Sequence, residues 1–136
     1  MGNLAPSPVD TADVQKTYDR LTAFETDINW AVFKFDNGKI KTSATGKDFK
    51  TFVAQFSDEE VAIAYYRLEF GVYVLMVWVG LKSSTGDKIA LTTATPFVVT
   101  ILNTFSFQFM TSKIADVDLD HITELVAKAK GLVKLH

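Results

Sequence analysis

The stretch YYRLEFGVYVLMVWVG, Tyr65–Gly80, decides the fold. It carries no charge from Phe70 to Leu81 and is the most apolar part of a 136-residue chain. Such a run can be a membrane span, a buried helix or a pair of buried strands. A helix needs roughly 18 or more apolar residues to cross a bilayer, and Arg67, Glu69 and Lys82 close this window too early. The segment is rich in β-branched and aromatic residues, which favours strand. With Gly71 at the first central position of a type II′ turn and Val72 at the second, it reads as a tight hairpin. The second arm, VYVLMVWVG, is apolar on both faces and belongs in mid-sheet.

Working outward, INWAVFKFDNGKIKTSATG (Ile28–Gly46) reads as a second hairpin turning at Asn37-Gly38, two residues that tolerate positive φ. Its first arm is apolar in both alternating sets and should be covered on both sides. Before it, Asp10 or Thr11 can cap a helix reaching about Phe24, with Val14, Tyr18 and Leu21 on one face. Between the hairpins, Phe49, Phe52, Val53 and Phe56 have the spacing of a short amphipathic helix.

Beyond Gly80, Thr95-Pro96 suits an N-cap followed by proline in the first turn, so a helix is expected to start or kink there. Phe97, Ile101 and Thr104 or Phe105 would form its inward face. FSFQFMT alternates as a strand. A last helix from about Asp118 would bury Leu119, Ile122, Val126 and Ala129, supported by a Glu124–Lys128 pair and by Gly131 past its end. The order is helix, two strands, helix, two strands, helix, strand, helix. It predicts an α/β (α+β) sandwich in which a central mixed five-stranded sheet has helices on both faces.

The bulk composition narrows the function. One compact domain fits this length, and 48% hydrophobic residues supply a core. A net charge of −2 argues against nucleic acid as the main partner. The absence of cysteine excludes disulfides, thiolate metal sites and cysteine nucleophiles. The N-terminal MGNLAPSPVD lacks the pattern of a secretory signal, so a cytoplasmic protein is the default.

Candidate chemistry is sparse. His121 and His136 are the only histidines, and neither has a neighbour at metal-ligand spacing. GLKSSTGDK has the wrong spacing for a phosphate loop and reads as a polar connector into a helix. Asp58, Glu59 and Glu60 read as a solvated turn. Asp116, Asp118 and Asp120 lack the glycine and closing glutamate of a calcium loop. No catalytic residue, cofactor or metal is expected.

Several strings in this order resemble the actin-depolymerising-factor homology (ADF-H) family, whose fold is gelsolin-like, and within it the coactosin-like members. They are INWAVFKFDNGKI, GKDFKTFVAQFSDEEVAIAYYRLEF, VYVLMVWVG, ILNTF and FSFQFM. The resemblance implies a single ADF-H domain over 9–131, a flexible N-terminal tail over 1–8 and a C-terminal tail over 132–136. It also implies a monomeric, cytoskeleton-associated, non-enzymatic protein that binds actin, as filament rather than monomer, with weak or no severing. By the same resemblance, one contact surface would use the N-terminal tail, Lys82, Lys88 and Ile89 at the third helix, and Lys113 and Ile114 before the last helix. A filament surface would add the hairpin between the third and fourth strands and the basic C-terminal end, Lys128 and Lys130. The chain departs from that pattern in its short, lysine-free turn at Gly71 and its uncharged TTATPFVVT. These departures leave an alternative, an adaptor with the same fold that binds another protein in place of actin.

Overall fold

The computed structural model describes residues 7–129. Helix α1 (Thr11–Thr22) is followed by strands β1 (Trp30–Asp36) and β2 (Lys39–Gly46), helix α2 (Phe49–Val53), strands β3 (Val61–Glu69) and β4 (Val72–Val79), and helix α3 (Thr85–Ile101). Strand β5 (Phe107–Thr111), a 3-10 turn η1 (Ile114–Asp116) and helix α4 (Leu119–Ala129) complete the order. The five strands run in the order β2-β1-β3-β4-β5, all neighbours antiparallel except β4 and β5, which are parallel. The expected mixed sheet and element order are both present.

The hydrophobic pattern sets the layers. Alternate residues of a strand face opposite sides, and here both sides are apolar. Ala31, Phe33, Ile63, Tyr65, Leu75 and Val77 pack under Val14 and Leu21 of α1 and Leu91, Ala94 and Val98 of α3. The other set, including Trp30, Ala64, Met76 and Trp78, packs under Phe52 and Phe56. Val74 lies under Ile122 and Val126 of α4. Every side chain from Val61 to Tyr66 and from Tyr73 to Trp78 is buried.

Polar groups inside this core are matched. The indole N–H of Trp30 donates to the Asp48 carbonyl at 2.9 Å, and that of Trp78 to the Ser57 carbonyl at 2.8 Å. Both bonds tie the α2 segment to the sheet. The Tyr65 hydroxyl donates to the Thr104 carbonyl, and burial raises its pKa above the ordinary phenol range. Asp10 caps α1 by accepting from the Asp13 N–H at 3.1 Å. Asp48 caps α2 by accepting from the N–H and hydroxyl of Thr51, bonds that lower its pKa.

Several expectations need correction. The turn between β3 and β4 is Phe70–Gly71, and its positive φ (85°) falls at the second position, so Gly71 is not the first residue of a type II′ turn. A bulge between Arg67 and Glu69 shifts the register by one residue. Helix α3 begins well before Thr95: Ser84 caps it by accepting from the Asp87 N–H, and Pro96 lies inside. Its buried side is therefore Leu91, Ala94, Val98 and Leu102, while Phe97 points outward and is 50% exposed; Thr104, past the helix end, is exposed too. Among the described residues, Glu124 and Lys128 do not form an ion pair, because at the exposed end of α4 nothing holds two long side chains together. Of the residues expected to be buried in α4, Ile122 and Val126 are, whereas Leu119 at its start and Ala129 at its end are exposed; Gly131 lies outside the described residues.

Gly80 marks where β4 leaves the sheet. Its N–H donates to the Glu60 carbonyl at 2.9 Å, and an added Cβ would meet that same oxygen at 2.6 Å. Because the obstacle is backbone, Gly80→Ala should cost about 1–3 kcal/mol, the range for overpacking a close-packed site. Urea unfolding measures this, and an unchanged midpoint would mean the Asp58–Glu60 turn yields freely.

Candidate actin-binding surface

Parallel pairing of β4 and β5 gathers most of the candidate residues. Trp78 is level with Thr111, so the chain beyond each strand leaves the sheet at the same end. Lys82 follows β4 there, and Lys113 and Ile114 follow β5. Helix α3 starts at that end too, with Lys88 and Ile89 in its first turns. All five side chains are exposed, Ile89 at 63% and Ile114 at 49%.

Local bonds fix this end. The Lys82 N–H donates to the Asp58 carbonyl at 2.7 Å, and the Ser83 hydroxyl to the Gly80 carbonyl at 2.6 Å. Across the sheet end, the Thr111 hydroxyl donates to the Asp116 carboxylate at 2.6 Å and accepts from the Lys113 N–H at 3.0 Å. Val117 is buried just beyond, which anchors the turn that presents Lys113 and Ile114. Asp118 accepts from the His121 N–H and opens α4. These aspartates thus have structural partners, and no cluster of potential metal ligands occurs among the described residues.

The exposed face of α3 is less polar than its sequence suggests. The hydroxyls of Thr92, Thr93, Thr95 and Thr100 donate to the carbonyls of Lys88, Ile89, Leu91 and Pro96, one helical turn back. With their hydroxyls donating internally, these threonines offer little free hydrogen-bonding capacity to a partner. Ile89 and Phe97 lie on the same face. From Ile89 to Ile101 the helix carries no charge; exposed Asp87 and Lys88 lie in its first turn, and Lys82 and Lys113 are exposed at the same end of the sheet.

Lys128 sits apart, exposed near the end of α4 on the opposite face of the sheet. Lys130 lies outside the described residues. The hairpin tip has no lysine; its cation is Arg67, whose guanidinium donates to the Leu21, Ala23 and Phe24 carbonyls and lies 5.3 Å from the Phe70 ring centroid. Phe24 and Phe70 meet edge to face at 5.1 Å and are both exposed. Sequence reasoning missed Phe97, Met110 and this aromatic pair. The signal for Phe97 was the Ser84-to-Asp87 cap, which resets the phase of α3. Met110 and Phe70 had none, since only the tertiary arrangement leaves them uncovered.

Of the acidic group beside this end, Asp58 and Glu59 are exposed, as a solvated turn requires. Glu60 accepts from Lys34 Nζ at 2.9 Å, and Lys34 also donates to the Gln55 carbonyl at 2.7 Å.

Fold and sequence agree on the class. A profile described as cofilin/tropomyosin-type actin-binding protein matches residues 7–127, and the chain belongs to that family, the ADF-H family. Coactosin-like proteins of Rattus norvegicus and Homo sapiens are each 22% identical over 130 residues, covering 90% of this chain and 92% of theirs. The crystal structure of human coactosin-like protein superposes with a TM-score of 0.83 at 20% identity, covering 90% of this chain and 99% of that one. Coactosin from Entamoeba histolytica gives 0.80 at 18% identity, covering 92% and 99%. Mouse coactosin, described as an actin filament binding protein, gives 0.77 at 21% identity, covering 89% and 91%.

If the front of α3 is kept for a partner, its apolar residues contribute little to folding. Ile89→Ser combined with Phe97→Ser should leave stability within about 1 kcal/mol of the parent, as exposed sites do. Leu91→Ala, one step around the helix, should cost about 2–5 kcal/mol. Thermal unfolding separates the two cases, and a large loss from the exposed pair would assign that face to folding.

Proposed function

We propose that this protein binds the side of actin filaments and modulates their dynamics with weak or no severing. The reading makes it a monomeric, non-enzymatic protein of the cytoplasm, associated with the cytoskeleton. The observation that supports it is the exposed, uncharged face of α3, bearing Ile89 and Phe97, with exposed Lys82, Lys88, Lys113 and Ile114 at the same end of the sheet. An apolar centre with a cationic rim suits an acidic protein partner: the rim steers the encounter and the centre supplies buried area. Lys128 would contribute from the other side of the domain, and Lys130, which the resemblance also implies, would add to it. Weak severing follows from the uncharged middle of α3, since the strongly severing relatives implied by the resemblance carry basic residues there.

Cosedimentation with filamentous actin across a potassium chloride series tests this. Pelleting should be strong at low salt and fall as salt rises. Lys88→Glu with Lys113→Glu should weaken it at least tenfold, and Lys128→Ala by less. No pelleting at low salt, together with no binding to monomeric actin, would overturn the reading. Lys34→Ala is a poor control, because its amine holds Glu60 and the Gln55 carbonyl.

The exposed Phe24–Phe70 pair at a lysine-free hairpin favours a second reading, an adaptor of the same fold that binds another protein. Retention of a partner that is lost on Phe70→Ser, with no actin pelleting, would support it.

A further inference from the structure

Between α3 and β5 runs an open apolar groove of about 400 Å³, lined by Val77, Lys88, Leu91, Thr95, Pro96 and Met110, among others. Met110 is 68% exposed within it. Register explains why. Met110 is level with Val77, on the sheet face covered by α1 and α3, but α3 packs toward β3 and leaves the β5 side of that face uncovered.

The groove has few polar groups of its own. The hydroxyls of Thr92 and Thr95, which line it, are already bonded to carbonyls of α3. A small polar ligand would find little to orient it. Unused hydrogen-bonding capacity lies in the backbone instead. Strand β5 is the last of its sheet, so an alternate set of its N–H and C=O groups faces away from β4 and is unpaired among the described residues. Pro96 has no N–H, so the Thr92 carbonyl lacks its usual donor one turn later. An apolar groove alongside a free strand edge is the arrangement that takes up an extended peptide as an added strand.

Charge narrows the peptide. Lys88 lines the groove and Lys113 follows the end of β5, and neither forms an ion pair among the described residues. We propose that the free edge of β5 receives an extended segment of a partner protein as an added strand, with an apolar side chain reaching over Met110 into this groove and a carboxylate toward Lys88. The added strand pairs through its backbone, and its alternate side chains supply selectivity. This site adjoins the front of α3 used in the actin reading; the two share Lys88 and Lys113, so the two partners would compete.

The probe is a phage-displayed library of random heptapeptides selected on the intact protein, followed by the best peptide in synthetic form against the ¹⁵N-labelled chain. Selected sequences should alternate apolar residues and carry an acidic one. The peptide should shift resonances of Phe107–Thr111 and slow amide exchange at alternate residues of β5 at least tenfold. Met110→Glu should weaken binding at least tenfold and Lys88→Glu about fivefold, with thermal unfolding confirming that both variants fold. Ile89→Ser should weaken actin pelleting and leave peptide affinity intact, so the two readings fail separately. No enrichment, equal affinity for Met110→Glu, or unprotected β5 amides would each overturn the proposal.

Discussion

Strands β3 and β4 have no solvent face along most of their length. From Val61 to Tyr66 and from Tyr73 to Trp78 each residue is buried, whichever way it points. Two adjacent strands of that kind cannot form the surface of a domain, because each side leaves apolar area in water at roughly 25 cal/mol per Å². They require cover above and below, and the remaining elements are arranged to supply it. α1 and α3 close one face, and α2 and α4 close the other. The two tryptophans then fix the thinner cover. A five-residue helix such as α2 has little stability of its own, but Trp30 and Trp78 anchor the backbone on either side of it.

Cover of that kind also determines what stays exposed. With both faces of the central strands occupied, binding surface is left at the strand ends, on the outer sides of the helices and along the sheet edges. One edge, β2, is partly closed by the N-terminal segment: the Ile40 N–H donates to the Pro8 carbonyl, and the Asp10 N–H to the Ile40 carbonyl. The other edge, β5, is open among the described residues. The single parallel pair, β4 with β5, brings two chain exits to one end and places the starts of α3 and η1 beside them. Lys82, Lys88 and Lys113 therefore share one end of the sheet because of a topological feature, although they are far apart in sequence.

Much of this was legible in the sequence, and the failures have physical causes. Asn37-Gly38 specified its turn because both residues take positive φ, 52° and 81°. The double-sided apolar pattern specified the central strands. Pro96 misled because proline is usually excluded from helix interiors for lack of a donor. Here one donor is lost near the exposed side of a helix whose buried face is fixed by Leu91, Ala94 and Val98. Gly71 was placed one position early because a bulge, which sequence does not announce, absorbs a residue before the turn. Of the site, the residue types were visible as candidates through family resemblance. Their grouping came only from the same resemblance, since its physical cause, the parallel crossover through α3, is not written in the local pattern.

Helix α3 shows why counting polar residues misjudges a surface. TTATPFVVT looks like a solvated segment, yet its threonine hydroxyls bond to the helix that carries them. A hydroxyl satisfied in this way presents no new donor to a partner, and its methyl group can be buried at low desolvation cost. Charge is confined to the rim, where water remains and long-range attraction is screened by salt within about 10 Å at 0.1 M ionic strength. Such a surface separates two tasks. If an acidic partner docks here, lysines at the rim would govern how fast it arrives, and the uncharged centre would govern how long it stays. Substitutions at the rim should therefore change association rates and salt dependence, whereas changes at Ile89 or Phe97 should change dissociation rates.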